Sequence, residues 1–205
     1  MIAGRLLVAT VIEELRRRRP VFHSEADFQH AFGQAVHSLA PDVEIRLEVR
    51  QENAEYLDLL CFGRSGRTAI EFKYVTAGWQ GNDGLTDEVF RLRHHSATDL
   101  ARRNFVFDIE RLERFCASRA GTNGFAILLS NDASLWSRPR SERPTRDREF
   151  RIHEGRELSG TLRWAEGAFE ANARQLLGTY VTNWTDYTAV GGANGDLRLL
   201  VLPVA

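Results

Sequence analysis

The stretch that decides the fold is YLDLLCFGRSGRTAIEFKYV, residues 56–75. Two mostly apolar runs flank the tetrapeptide GRSG at 63–66, and this pattern predicts two antiparallel strands joined by a tight turn. Successive side chains point to opposite faces of a strand. Glu71 and Lys73 are therefore expected on one face of the second strand, and the apolar residues around them on the other face, packed on the core.

The same turn sets which residues of the two strands lie opposite each other. A two-residue loop would pair Gly63 with Gly66 and, in the same register, would place Asp58 directly opposite Glu71. The other face of the first strand is predicted to carry Leu57, Leu59 and Cys61.

Two carboxylates in this arrangement need a cation between them. Directly opposed side chains have Cβ atoms about 4.5–5.5 Å apart, and like charges at that distance repel. Lys73 can neutralise only part of the charge of Asp58 and Glu71, and carboxylate oxygens suit a hard divalent ion such as Mg²⁺ or Mn²⁺. The spacing therefore predicts a metal site. The alternative is an ordinary cluster of Asp, Glu and Lys on an exposed sheet face.

Lys73 is also unusual in the composition of the chain. Of the 27 basic residues, 26 are arginines and Lys73 is the single lysine. Arginine replaces lysine easily on a solvated surface, but lysine carries a compact ammonium whose pKa responds to burial. A lysine retained in Glu71-Phe72-Lys73 therefore indicates a requirement for lysine chemistry, unless it survived a compositional bias by chance.

A helix predicted to begin after Ser24 could contribute a third carboxylate. Ser24 is a good N-cap residue with Asp27 three residues later, and an apolar stripe follows at helical spacing. Glu25 and Gln29 lie one turn apart beside that stripe. If the helix packs over the end of the strands, Glu25 approaches the metal and Gln29 could hydrogen-bond a phosphate or water; a solvent-facing glutamine is the alternative.

The remaining periodicity predicts an α/β protein with a mixed sheet flanked by helices. We expect residues 1–205 to form a single domain in which the C-terminal part completes the sheet. The predicted elements are a first helix from about residue 6 through the four arginines that precede Pro20, a strand at 43–49, a glycine-rich loop at 76–86, a helix over 100–115, a strand at 124–130, a hairpin near 150–164, a short helix near 168–177 and a closing strand at 197–202.

Asp58 followed after twelve residues by Glu71-Phe72-Lys73, within this order of elements, resembles the PD-(D/E)XK nuclease superfamily. The resemblance covers about residues 22–131, and Leu57 stands where a proline often precedes the aspartate. It implies a restriction endonuclease-like αβββαβ core and Mg²⁺- or Mn²⁺-dependent hydrolysis of DNA, as an endonuclease or exonuclease. Asp58 and Glu71 would hold the metal, Lys73 would contact the attacking water or the phosphate, and Glu25 would assist.

Composition limits the other possibilities. The net charge of −1 argues against a surface that binds nucleic acid everywhere, so contacts with DNA, or with RNA as an alternative, must be local. Arg102 and Arg103, near the start of the long helix, are candidates for such contacts. A second subunit, either another copy of the chain or a different protein, would help to hold the substrate. The sequence contains no run of 18 apolar residues, which a membrane-spanning helix would require. We expect a cytoplasmic protein.

Two other functional classes stay open at this stage. The first is a module with the same fold that binds nucleic acid or protein without cleaving it. The second is a metal-dependent hydrolase of small phosphate compounds. Zinc sites of the His-Glu-x-x-His type and phosphate-binding loops of the Walker type are absent from the sequence.

Overall fold

The computed structural model describes residues 1–51, 54–139 and 144–205. The α-helices in these ranges are α1 (Val8–Arg18), α2 (Glu25–Leu39), α3 (Thr98–Ala117) and the single-turn α4 (Ala133–Trp136). The strands are β1 (Glu44–Arg50), β2 (Tyr56–Gly63), β3 (Gly66–Val75), β4 (Trp79–Asn82), β5 (Val89–Leu92), β6 (Thr122–Ser130), β7 (Glu157–Leu162), β8 (Arg174–Val181), β9 (Trp184–Ala189) and β10 (Asp196–Val204). The α/β class is thus confirmed.

Six strands form a mixed central sheet in the order β1-β2-β3-β6-β10-β9. β3 and β6 are parallel, with α3 as the crossover between them, and the other pairs are antiparallel. The tight turn is confirmed, because Gly63 pairs with Gly66 and the ladder continues in that register to Leu59 and Ile70. The hairpin and its register are therefore as predicted up to this pair, but the predicted pairing of Asp58 with Glu71 is not part of the ladder, which ends one residue before them.

Helices cover the central sheet on both faces. One hydrophobic core lies between the sheet and helices α1 and α2, and it contains Phe28, Phe32 and Phe72. The other lies between the sheet, α3 and the β7–β8 hairpin. Ile70, Phe72 and Tyr74 of β3 belong to the first core, whereas Ala69 and Val75 belong to the second. Glu71 and Lys73 consequently face α3, as strand alternation requires.

The β2 strand departs from regular alternation near Asp58. Leu59 and Cys61 pack in the first core, but Leu57 packs in the second, so the expectation that these three residues share a face is wrong for Leu57. The opposing β1 residue, Glu48, has a positive φ of 50° and no ladder partner. This irregularity reverses the side-chain alternation next to Asp58.

The C-terminal third differs from the sequence-based expectation. The predicted hairpin near 150–164 is wrong, because β7 pairs with β8 at 174–181. The short helix predicted near 168–177 is also wrong: only a 3-10 turn forms there, Glu170–Asn172, before β8 begins. A second hairpin, β4–β5, forms where a loop was predicted. Short strands whose partners lie elsewhere in the chain carry weak local signals.

Two further observations concern burial and hydropathy. Cys61 and Cys116 are both free and buried, as expected for cysteines that contribute packing. Within the described ranges, no helix combines the length and apolarity needed to cross a membrane.

The aromatic cluster between α2 and β3 predicts a large stability loss on truncation. Phe32 is fully buried, and its ring centroid lies 5.1 Å from that of Phe72 in an edge-to-face contact. We expect Phe32→Ala to lower the free energy of unfolding by about 3–5 kcal/mol, measured by chemical denaturation. Leu177, which is 77% exposed, supplies the control. Leu177→Ala should change stability by less than about 0.5 kcal/mol, and equal losses in both variants would contradict the assigned core.

Candidate functional site

Lys73 lies at the centre of a cluster of carboxylates beneath helix α3. Its ammonium Nζ is 2.8 Å from Asp108 Oδ2 and 4.0 Å from Glu25 Oε1. It also donates a hydrogen bond of 2.9 Å to the carbonyl oxygen of Phe72. The Lys73 side chain is 19% exposed, whereas that of Asp108 is only 2% exposed. A buried ion pair therefore joins β3 to α3.

Asp108 was not identified from the sequence. It lies on α3 three residues after Phe105 and four before Leu112, within the stripe that packs on the sheet. An acidic residue at a position where helical periodicity requires an apolar one is the signal that could have found it, because buried carboxylates need a partner. That partner, Lys73, is 35 residues away in the chain, and only the packing of α3 on β3 brings the two together.

Arg111, one turn after Asp108, is the second cation of the cluster. Its guanidinium contacts both Asp108, through a hydrogen bond, and Glu71, with Nη1 3.4 Å from Oε1. Arg111 Nη1 also donates to the carbonyl of Tyr56 at 2.9 Å. Glu71 is 1% exposed, and its Oε1 accepts no hydrogen bond from any described residue. Glu71 is thus a buried carboxylate with incomplete compensation.

Asp58 and Glu25 occupy the gap that opens where β2 and β3 diverge. The ladder between these strands ends at Ile70, so the later backbone N–H groups on that side of β3 have no strand partner. Asp58 Oδ2 accepts the N–H of Phe72 at 2.7 Å, and Glu25 Oε2 accepts the N–H of Tyr74 at 2.8 Å. Buried backbone donors require such partners. One oxygen of each carboxylate is thereby fixed, and the other oxygen of Glu25 lies 4.0 Å from Lys73 Nζ.

The position of Glu25 follows from the start of helix α2. Ser24 caps the helix as predicted, accepting the N–H of Asp27 at 3.2 Å, so that Glu25 is the first helical residue. Phe28 in the first turns of α2 and Phe22, three residues before the helix, both pack against Tyr74 near the end of β3. This packing places Glu25 next to Lys73, on the same side as Asp58.

The charges of the cluster do not balance. Four carboxylates, Asp58, Glu71, Asp108 and Glu25, surround two cations, Lys73 and Arg111, and interact with them electrostatically. Full ionisation would leave two uncompensated negative charges in a mostly buried space, which is energetically costly.

The pKa values reflect this excess of negative charge. Burial, together with the charges of Asp108 and Asp58, raises the pKa of Glu71 from 4.5 to about 10. Burial also raises the pKa values of Asp108 and Glu25, although Lys73 partly offsets the effect on both. Burial disfavours the Lys73 ammonium, but Asp108 and Glu25 outweigh it and raise the pKa of Lys73. Without a further cation, Glu71 is protonated near neutral pH while Lys73 remains charged.

A divalent cation fits this donor set, although the side chains are not gathered as ready ligands. Within residues 1–51, 54–139 and 144–205, no three Asp, Glu, His or Cys side chains are arranged as a metal cage. The fit rests on the buried Glu71 Oε1, which has no hydrogen-bond partner among those residues, and on the hard oxygen donors of Asp58 beside it. The excess negative charge of the four carboxylates also favours a cation at this position.

The other predicted substrate residues lie apart from this cluster or make different contacts. Gln29 is buried one turn after Glu25, so the alternative of a solvent-facing glutamine is wrong. Arg102 pairs with Asp147 at 2.6 Å and donates to the carbonyl of Ser134. Arg103 donates to Asn104 and Asn172. The structure therefore brings together Asp58, Glu71, Lys73 and Glu25, but not the two arginines.

Comparison with family models, with curated proteins and with solved structures found no match for this chain. Its function is therefore inferred from the residues of the site.

The raised pKa of Glu71 predicts how stability depends on pH. A carboxyl with a higher pKa in the folded than in the unfolded chain stabilises fully below its ordinary pKa of 4.5, and this contribution is lost as pH rises toward 10. Glu71→Gln removes this ionisable group, so we expect the variant to differ least from the unmodified protein at pH 5 and to gain on it as the pH rises. At pH 9, in EDTA, it should be more stable by at least about 1.4 kcal/mol, the equivalent of one pKa unit.

Chemical denaturation from pH 5 to pH 9 measures this difference. Glu170→Gln, at an exposed position in the 3-10 turn before β8, is the control and should show no such trend. A stability difference between Glu71→Gln and the unmodified protein that stays constant with pH would contradict the protonated, buried Glu71.

Proposed function

We propose that the protein is a metal-dependent hydrolase of phosphodiester bonds in DNA, of the PD-(D/E)XK type. The observation that carries this proposal is the uncompensated carboxylate cluster around Lys73, with the buried Glu71 oxygen that lacks a hydrogen bond. The order α2-β1-β2-β3-α3-β6, interrupted by the β4–β5 hairpin between β3 and α3, supports it, because the αβββαβ core of that superfamily has the same succession of elements. On this proposal the chain acts in the cytoplasm, with RNA as an alternative substrate and a second subunit as an aid to binding.

Asp58 and Glu71 would hold Mg²⁺ or Mn²⁺, with Glu25 as a further ligand directly or through water. When bound, the ion would lower the pKa of a water molecule and stabilise the negative charge that develops on the phosphate. Asp58 and Glu25 are already oriented for this task, because each has one oxygen fixed by a backbone N–H of β3. Such fixed carboxylates need little reorganisation on binding.

Lys73 would act as a donor rather than as a base. Asp108 and Glu25 raise its pKa, so it keeps its proton at neutral pH. A charged ammonium can donate hydrogen bonds to the attacking water or to a phosphate oxygen, and it stabilises negative charge in a partly buried site. A guanidinium would deliver its donors in a planar fork at a greater distance from β3.

Asp108 and Arg111 would position the reacting groups without touching the substrate. Asp108 fixes the Lys73 ammonium from below, and Arg111 contacts both Asp108 and Glu71. Because the Asp108 side chain is only 2% exposed, it would influence the reacting groups only through its ion pair with Lys73. This role explains why a buried acid is retained in the apolar stripe of α3.

Cleavage assays test the proposed roles of Asp58 and Lys73. We expect Asp58→Asn and Lys73→Arg each to lower Mg²⁺-dependent cleavage of plasmid and single-stranded DNA by at least about a hundredfold, with thermal unfolding still cooperative. Asp186→Asn is a matched control, because the Asp186 side chain is 82% exposed and its carboxylate pairs, among the described residues, with Arg198 on β10. Cleavage by Lys73→Arg at the unmodified rate would exclude the proposed role of the ammonium.

Proton release tests the metal site without measuring cleavage. Metal binding requires ionised carboxylates, and Glu71 is protonated near neutral pH in the metal-free protein. We expect Mn²⁺ binding at pH 7 to release close to one proton, measured by titration calorimetry in two buffers with different ionisation enthalpies. The Asp186→Asn protein should behave identically. Mn²⁺ binding without proton release would contradict the assignment of Glu71 as a ligand.

A non-cleaving module that binds nucleic acid or protein is the competing function. The observation that favours it is the direct ion pair of Lys73 with Asp108, since a lysine used this way can be purely structural. Such a module would bind DNA or a protein partner in EDTA, would not bind Mn²⁺, and would lose stability rather than a metal site in Asp58→Asn. The calorimetric titration therefore separates the two functions.

A further inference from the structure

A second concave site lies at the N-terminal end of α3. A cavity of about 450 Å³ opens between α3, α4 and the segment 145–153. Its volume lies within the range of about 300–1,000 Å³ that is common for small-molecule sites. The basic residues that line it are Arg102, Arg138, Arg151 and His153.

The positive charge of this cavity is only partly balanced. Arg102 and Asp147 form an ion pair of 2.6 Å, and both side chains are largely buried. The charge of the Asp147 carboxylate is therefore balanced by Arg102. Arg151 donates to the neutral hydroxyl of Thr145 at 3.0 Å. In the part of the chain that the structure describes, Arg138 and Arg151 have no acidic partner within 4.0 Å. Two guanidinium groups in one concave space therefore lack an acidic partner among residues 1–51, 54–139 and 144–205.

His153 lies in the same excess of positive charge. Its Nδ1 is shielded from water and has no hydrogen-bond partner among the described residues. Burial lowers the pKa of His153, and the charges of Arg156, Arg138 and Arg151 lower it further. A bound anion would supply both an acceptor for a ring N–H and a counter-charge for the arginines. The missing partner is thus an anion rather than another cation.

We propose that this cavity binds a phosphate group of a nucleotide or polynucleotide. Guanidinium groups pair with phosphate through two parallel hydrogen bonds, and a phosphate has enough oxygens to contact several donors at once. The hydroxyls of Ser134, Ser137 and Thr145 line the same cavity and can donate to it. The space left around a single phosphate accommodates part of the attached sugar.

The cavity and the carboxylate cluster share helix α3. Arg102 and Asp108 are six residues apart, which corresponds to about 9 Å along the helix axis. Six residues also place the two side chains about 120° apart around the helix, so a strand with one phosphate in roughly every 3.4 Å needs at least three nucleotides to reach both sites. This connection rests on the proposed hydrolase function, whereas phosphate binding in the cavity does not.

Binding measurements in EDTA test the site independently of cleavage. Inorganic phosphate, adenosine 5′-monophosphate, adenosine and an oligonucleotide without terminal phosphates are titrated into the unmodified protein, Arg138→Gln and Arg151→Gln. We expect each substitution to weaken phosphate-dependent binding about tenfold or more, as for other hydrogen bonds to charged groups. Arg119→Gln removes an exposed arginine just beyond the opposite end of α3 and should leave binding unchanged.

The ligands distinguish the source of the phosphate. Binding of phosphate and the monophosphate, but not of the oligonucleotide, identifies a phosphate monoester as the ligand. Binding of the oligonucleotide, with a salt dependence that falls by about one unit of slope in each variant, identifies backbone phosphates. Adenosine binding as tightly as its monophosphate, no binding of any phosphate compound, or equal losses in Arg119→Gln would overturn the proposal.

Discussion

The site depends on the buried ion pair between Lys73 and Asp108, which joins the central strand β3 to the crossover helix α3. Removing one partner of such a pair leaves the other charged and unpaired, at a typical cost of about 3–5 kcal/mol. The pair also fixes the ammonium at one point among Glu25, Asp58 and Glu71. Since α3 must pack on β3 to form the second core, the same contact that completes the fold also positions the lysine.

A second constraint is the divergence of β2 from β3. Strands that separate leave backbone N–H groups without partners, and in a buried position these must be satisfied by side chains. Asp58 and Glu25 meet this requirement for β3, and they become rigid as a result. The site thus combines two needs of the fold, a partner for unpaired backbone donors and a counter-charge for a buried lysine. What these needs do not explain is the surplus of carboxylates, because one fewer acid would balance the cluster better.

The surplus of carboxylates distinguishes this cluster from a buried charge network that only stabilises a fold. A buried network that serves stability alone approaches charge neutrality, whereas sites with strongly perturbed pKa values are often functional. Burial, together with Asp108 and Asp58, raises the pKa of Glu71 to about 10, and Glu71 Oε1 makes no hydrogen bond with the described residues. The basic cavity at the N-terminal end of α3 shows the opposite imbalance, because Arg138 and Arg151 have no acidic partner among the described residues. Opposite charge imbalances along one helix suit a substrate that carries phosphates and requires a cation.

The sequence by itself determined the central hairpin, its register and the shared face of Glu71 and Lys73, because a two-residue turn and strand alternation are local constraints. It also determined the start of α2 at Ser24, through local capping. Only the tertiary structure decided that Asp108 and Arg111 enter the cluster, that Leu57 turns to the second core, and that residues 174–181 form a strand. These outcomes depend on partners far away in the chain, and the charge balance of a buried site is set by all of its neighbours together rather than by any local pattern.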